Sequence, residues 1–187
     1  MPDPTSVRDF WFGEAPWAFR QAWFRKDPAF DDTIRARFGA LVEQALAAPL
    51  GWGPAPADVA AEIIVLDQFP RNLFRGSARA FAGDPQARAL AQGLVDSGAH
   101  LALHPLERMF AYLPFEHAED PALQDRSVAL YTELAAAHPG FDEVLDYALR
   151  HRDVIRLYGR FPHRNPALGR PNTPAEAEYL AQPGSGF

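Results

Sequence analysis

The stretch Asp58-Val59-Ala60-Ala61-Glu62-Ile63-Ile64-Val65-Leu66-Asp67-Gln68-Phe69 decides the fold. Val59, Ile63, Ile64, Val65, Leu66 and Phe69 cover nearly every side of a 3.6-residue helix, and such a helix lies at the centre of a protein. Other helices must pack around it. Upstream, Asp27-Pro28 reads as an N-cap followed by proline at the first helical position. Ile34, Phe38, Leu41, Val42, Ala45 and Leu46 then keep helical spacing to about Ala48. The run from Pro49 to Pro56 is a loop by composition. Downstream, Asp84-Pro85 starts a helix that ends near Ser97-Gly98, and Pro105 to Leu113 is a short one that Pro114 should stop. Asp120-Pro121 caps a helix through Leu123, Ser127, Leu130 and Leu134 to His138-Pro139-Gly140. Phe141 to Tyr158 is the next, and Thr173-Pro174 with Glu176 is a capping box for the last. Gln182 to Phe187 reads as a frayed tail. No strand-period hairpin is visible. The expectation is one all-α domain over 1–187, built of stacked antiparallel helix pairs.

The bulk numbers agree. A chain of 187 residues can bury roughly 70% of its unfolded surface, so its core needs no disulfide or metal staple. Its hydrophobic share is 48% and its charged share 22%, both ordinary for a soluble globular protein. Many aromatics fall early: Phe10, Trp11, Phe12, Trp17, Phe19, Trp23, Phe24 and Phe30. The net charge of -6 argues against duplex nucleic acid as the main partner. Cysteine is absent, which excludes disulfides, thiolate zinc sites and cysteine nucleophiles. No basic start followed by an apolar run suggests a signal peptide, and no apolar run is long enough for a membrane span. The expected location is the cytoplasm. Arginine carries nearly all the positive charge, with Lys26 the one lysine, and its planar fork suits carboxylates and phosphates.

Two segments echo each other: Asp67-Gln68-Phe69-Pro70-Arg71-Asn72 and Gly159-Arg160-Phe161-Pro162-His163-Arg164-Asn165. Each puts a Phe-Pro step before basic and amide side chains. Proline fixes φ and disfavours helix in the residue before it, so both read as rigid turns that present polar groups. A third segment, Leu113-Pro114-Phe115-Glu116-His117-Ala118-Glu119-Asp120, supplies the opposite charge.

Asp67 shares the face of Ile63 and Ala60 and points inward. A buried carboxylate needs a partner, and Arg71 four residues on is the nearest. The pair reads as a structural lock or as a general base, with the lock favoured. His151 falls on the inward stripe of Val144, Ala148 and Ile155, as a core histidine or a proton-handling one. The match of His151-Arg152-Asp153 to a kinase catalytic loop fails, because there is no Gly-rich loop and Tyr158 stands where Asn is required. Glu116, His117, Glu119 and Asp120 form the densest acidic–histidine cluster, but their spacing fits neither zincin nor di-iron motifs. No metal and no cofactor is expected. His100 and His104 read as surface residues.

The chain resembles the bacterial domain-of-unknown-function family numbered 924 over essentially its whole length. The marks are Trp23-Phe24 with Phe30-Asp31, the 67–72 segment with Phe74-Arg75-Gly76, then Phe81 and Asp84. Leu113-Pro114 with Glu116-His117 and Glu119-Asp120, His151, and the 159–165 segment with Leu168-Gly169-Arg170 complete them. The family pattern carries Ser between the His and Glu of the third motif, where this chain has Ala118, and Phe where it has Tyr158. The resemblance implies an all-helical, tetratricopeptide-like fold. It implies no activity.

The site expected from these residues takes a small anionic molecule, or a peptide carboxylate. Arg71, Asn72, Arg75, Arg160, Arg164 and Asn165 would bind it. His117, His151 or His163 would handle protons, with Asp67 or Glu116 orienting a histidine. Arg71, Glu116, His117, His151, Arg160, His163 and Arg164 are expected to converge. The competing expectation is a helical scaffold for a protein or peptide, in which the polar motifs are internal bracing. Whether a reaction occurs, and the oligomeric state, are not legible.

Overall fold

Proline marks most of the helix starts. The computed structural model describes residues 2–186, and in it α1 Pro4–Phe12, α2 Pro28–Ala47, α3 Pro56–Ile63, α7 Pro121–Ala137 and α9 Pro174–Leu180 all begin on proline. Asp27 and Asp120 accept two backbone N–H groups each at the starts of α2 and α7. Thr173 and Glu176 form the expected capping box of α9. The remaining helices are α4 Phe69–Leu73, α5 Asp84–Asp96, α6 Pro105–Glu116 and α8 Asp142–Tyr158. The fold is all-α, with no strand among the described residues. None of the described helices is long and apolar enough to cross a membrane.

Two compact units make up the chain. The first holds residues 1–75 and 79–114, the second 76–78 and 115–187. In the first, the early aromatics become core. Trp11 packs edge-on against Phe69 and Phe110 at 5.6 and 5.4 Å, and Phe38 lies 5.1 Å from Phe69. Asp31 of α2 binds Asn72 of α4 and Arg75 just beyond it, at 2.6–2.8 Å. In the second unit α7 and α8 pack against each other, and Phe161, Val154 and Ile155 form a buried cluster with Tyr158 and Tyr179 around it. Residues 182–186 fold back on α9, where Ser185 Oγ donates to the Leu180 carbonyl at 3.2 Å. The end of the expected frayed tail, Phe187, lies outside the described residues.

Two prolines do not act as expected. Pro114 lies inside α6, which runs on to Glu116. Pro114 can give no N–H to the Phe110 carbonyl and its ring crowds it, and the helix ends two residues later. The first Phe-Pro step is not a turn either. Between α3 and α4 the chain widens into a π segment, Ile64–Gln68, and Phe69 keeps helical dihedrals. The Phe69 N–H reaches the Ile64 carbonyl, five residues back. A proline ring normally clashes with the carbonyl four residues before it, and a π turn widens the helix at that level. Gly83 packs on that carbonyl. A Cβ at Gly83 would lie 2.1 Å from the Leu66 carbonyl oxygen.

Gly83→Ala should therefore destabilise by about 1–3 kcal/mol or more through overpacking. Gly93→Ala, in the exposed middle of α5 with nothing within 4 Å of its Cβ position, should stabilise by about 0.5–1 kcal/mol. Denaturant titration of both variants checks the contrast, and equal effects would contradict the docking of Gly83 on the π turn.

Candidate functional site

The second Phe-Pro step is the turn the sequence promised. Gly159, at φ 70°, ends α8 in the left-handed conformation that glycine adopts without penalty. Phe161 is extended, and Pro162–Arg164 form a single 3₁₀ turn. The Phe161 ring is fully buried, and polar groups surround it. The His151 ring lies 5.5 Å away, the His163 ring 5.6 Å, and the Arg164 guanidinium 4.5 Å over its face. Glu116 Oε1 is 3.2 Å from His151 Nδ1, and the His117 ring is 6.3 Å from that of His151. Glu116, His151 and Arg164 are buried, while His117 and His163 are half-buried. The second unit thus brings together Glu116, His117, His151, His163 and Arg164 from α6, the turn after it, α8 and the 159–165 segment.

Burial pushes the His151 imidazole well below its ordinary pKa, and the positive charges of His117, Arg164 and His163 push it the same way. At neutral pH His151 is therefore uncharged. Its Nδ1 lies 2.8 Å from the Tyr147 carbonyl as well as close to Glu116. Both neighbours are acceptors, so Nδ1 carries the proton and Nε2 is the basic nitrogen. The hydrogen bond of Nδ1 goes to the Tyr147 carbonyl, and with the imidazole neutral the contact with Glu116 is not an ion pair.

The turn that carries Glu116 and His117 is held by a residue the sequence reading passed over. Gln124 is fully buried, and its Nε2 donates to the Glu116 carbonyl at 2.6 Å and the Ala118 carbonyl at 2.8 Å. Gln124 shares the inward stripe of Ser127 and Tyr131, and that spacing was the available signal. No hydroxyl stands at position 118.

The other expected ligand residues have internal partners. Arg71, in the first unit, binds Asp84 at 2.7 and 3.0 Å and Asp67 at 3.2 Å. Asp67 is fully buried, as its inward stripe required, and this is the structural lock. Asn72 and Arg75 hold Asp31. Arg160 grips Glu176 at 2.6 and 2.8 Å, which pulls the Glu176 carboxyl down to about 2, with the Thr173 N–H assisting. Asn165 is fully buried between Asn172, Glu176 and Arg170. An open depression of about 460 Å³ is lined by Leu157, Tyr158, Arg160, Thr173, Ala175 and Glu176. None of the histidines lines it, and its two charges pair with each other. His100, expected at the surface, is 6% exposed, because the turn after Gly98 directs it to Tyr112. His104 is exposed as expected. Among the described residues no group of three or more His, Cys, Asp or Glu is placed to hold a metal ion.

The sign of the pH dependence follows. The folded pKa of His151 lies below its unfolded value near 6.5, so the unfolded chain takes the proton first. Stability is complete above pH 6.5 and falls as pH drops below it, by at most about 1.4 kcal/mol per pH unit, until the folded pKa is reached. Glu119 and Asp31 have lowered pKa values, so their contributions are lost only at more acid pH. Thermal melts from pH 7 to 5 should show a fall that His151→Gln flattens. An identical slope in both proteins would contradict the neutral, buried imidazole.

No functionally curated protein matches this chain. A solved structure, that of ATU0120, a protein of unknown function from Agrobacterium tumefaciens, is similar to it: 38% identical over 95% of this chain and 96% of that one, with a TM-score of 0.81. A family model for bacterial proteins of unknown function, DUF924, matches residues 7–184 and spans every motif that carries the site. The chain belongs to that family.

Proposed function

We propose that the second unit binds a small anionic molecule at Arg164, His117 and His163, and that His151 with Glu116 can move a proton to or from it. The observation that carries this reading is the gathering of His151, His163 and the Arg164 guanidinium around the buried ring of Phe161, with His117 beside His151. Burial first, and then the charges of His117, Arg164 and His163, hold the His151 imidazole well below its ordinary range. An anion offsets those charges. Arg164 presents a planar fork for a carboxylate or phosphate. His117 and His163, being half-buried, are within reach of a ligand. Glu116 and the Tyr147 carbonyl fix one tautomer of His151, which leaves a neutral base at neutral pH, the state a general base needs.

The second reading is a helical scaffold with a tetratricopeptide-like stack. Arg71, Arg75, Arg160 and Arg170 favour it, since each is engaged by a carboxylate of its own unit. Bracing accounts for those four.

Inorganic phosphate or acetate should raise the melting temperature by the linkage relation RT ln(1 + [L]/Kd), about 2.7 kcal/mol at a hundred times Kd. Arg164→Ala should remain folded and lose that rise. His117→Ala should keep it if His117 serves proton transfer alone. Under the scaffold reading no small anion stabilises the parent protein, and Arg164→Ala lowers stability with or without added anion.

A further inference from the structure

The carboxamide of Gln124 on α7 is used at one end only. Its Nε2 donates to the Glu116 carbonyl at 2.6 Å and to the Ala118 carbonyl at 2.8 Å, and these two carbonyls flank His117. Carbonyl oxygens accept hydrogen bonds and donate none, so they fix which end of the carboxamide faces them. Oε1 takes the other side. It is buried and, among the described residues, has no hydrogen-bond partner. Gln124 is fully buried, so bulk solvent does not reach that oxygen.

A second such atom lies one turn further along the same stripe. Ser127 is also fully buried, and its Oγ has no partner among the described residues. A hydroxyl inside a helix can donate to the carbonyl four residues back, as Thr132 of the same helix does to Val128 at 2.7 Å. Ser127 makes no such bond. Residues three apart share a helix face, with about 5–6 Å between their Cβ atoms. The amide oxygen and the hydroxyl do not bond each other, but one small molecule can bridge that spacing. Leaving either buried polar atom unmade costs free energy. The bridging group must donate to Oε1, and it is neutral, since neither atom carries a charge to offset one. Internal water meets both conditions, and it typically takes two to four polar partners.

We propose that Gln124 Oε1 and Ser127 Oγ bind one internal water molecule in the second unit. That water completes the hydrogen bonding of the side chain that clamps the carbonyls on either side of His117. The hydration site supports the turn of His117 whether or not an anion binds there. A double-mutant cycle of Ser127→Ala and Gln124→Met, read by denaturant titration, tests it. Ser127→Ala should lower the folding equilibrium constant about two- to tenfold, the worth of one hydrogen bond. In the Gln124→Met background the same change should cost clearly less, because the other anchor of the water is gone. A hydroxyl that is simply unpaired gives the opposite sign, since its removal relieves a buried polar group. If Gln124→Met does not fold, rotating-frame NMR of the parent protein replaces that arm. Magnetisation should then pass from water to the Gln124 side-chain amide protons with the sign of dipolar transfer, not of proton exchange. Unchanged or raised stability in Ser127→Ala, an equal loss in both backgrounds, or no dipolar transfer to the Gln124 amide would overturn the proposal.

Discussion

Glu119 is the carboxylate on which the polar architecture of the second unit depends. Its oxygens accept the Phe161 N–H at 2.8 Å and two donors of Arg170 at 2.7 and 2.9 Å. Arg170 also donates to Asn165 Oδ1 and the Phe161 carbonyl. One acidic side chain from the turn before α7 thus pins both ends of the 161–170 segment. Burial acts to raise its pKa, but the bonds from Arg170 and Phe161 outweigh it, so the carboxyl stays ionised well into acid. His163 and Arg164 stand on the pinned segment, and Phe161 starts it. Removing Glu119 would leave the Phe161 N–H, beside a fully buried ring, without this acceptor.

A charged motif therefore divides its labour. Glu119 and Arg170 build, as do Arg160 and Glu176, whereas the histidines gather on what is built. The two Phe-Pro segments show how far the same letters can diverge. At Phe69-Pro70 the helix absorbs proline by widening into a π turn, and the side chains that follow are used to tie α4 to Asp31 and Asp84. At Phe161-Pro162 the helix has already ended on Gly159, and the same step makes a real turn. What separates them is the residue before: an aspartate–glutamine pair inside a buried apolar helix in one case, a glycine with positive φ in the other.

Much of this was legible. Aspartate or threonine before proline marked the starts of α2, α7 and α9, because cap and ring act locally and need no tertiary help. The inward stripes of Asp67 and His151 were visible for the same reason. The continuation of α6 through Pro114 and the π segment were not, since both depend on what packs outside the helix: Gly83 against Leu66 is a contact no periodicity reports. α1 was hidden behind its aromatic content, although its Asp3–Ser6 capping box is a local signal. His100 was misplaced at the surface because its partner, Tyr112, belongs to another helix. Gln124 sat in plain view on the stripe of Ser127 and Tyr131, but an amide announces no chemistry until the carbonyls it holds are known.

The proton on His151 decides between an anion site and internal bracing: as proposed, the imidazole is neutral, protonated on Nδ1, and inside a positive cluster that an anion can relieve. Nitrogen-15 NMR of histidine-labelled protein measures tautomer and titration together. The expected result is an Nδ1–H tautomer at pH 7, with a pKa below 6.5 that moves upward when inorganic phosphate is added. A His151 that titrates at or above 6.5 and does not respond to phosphate would contradict it.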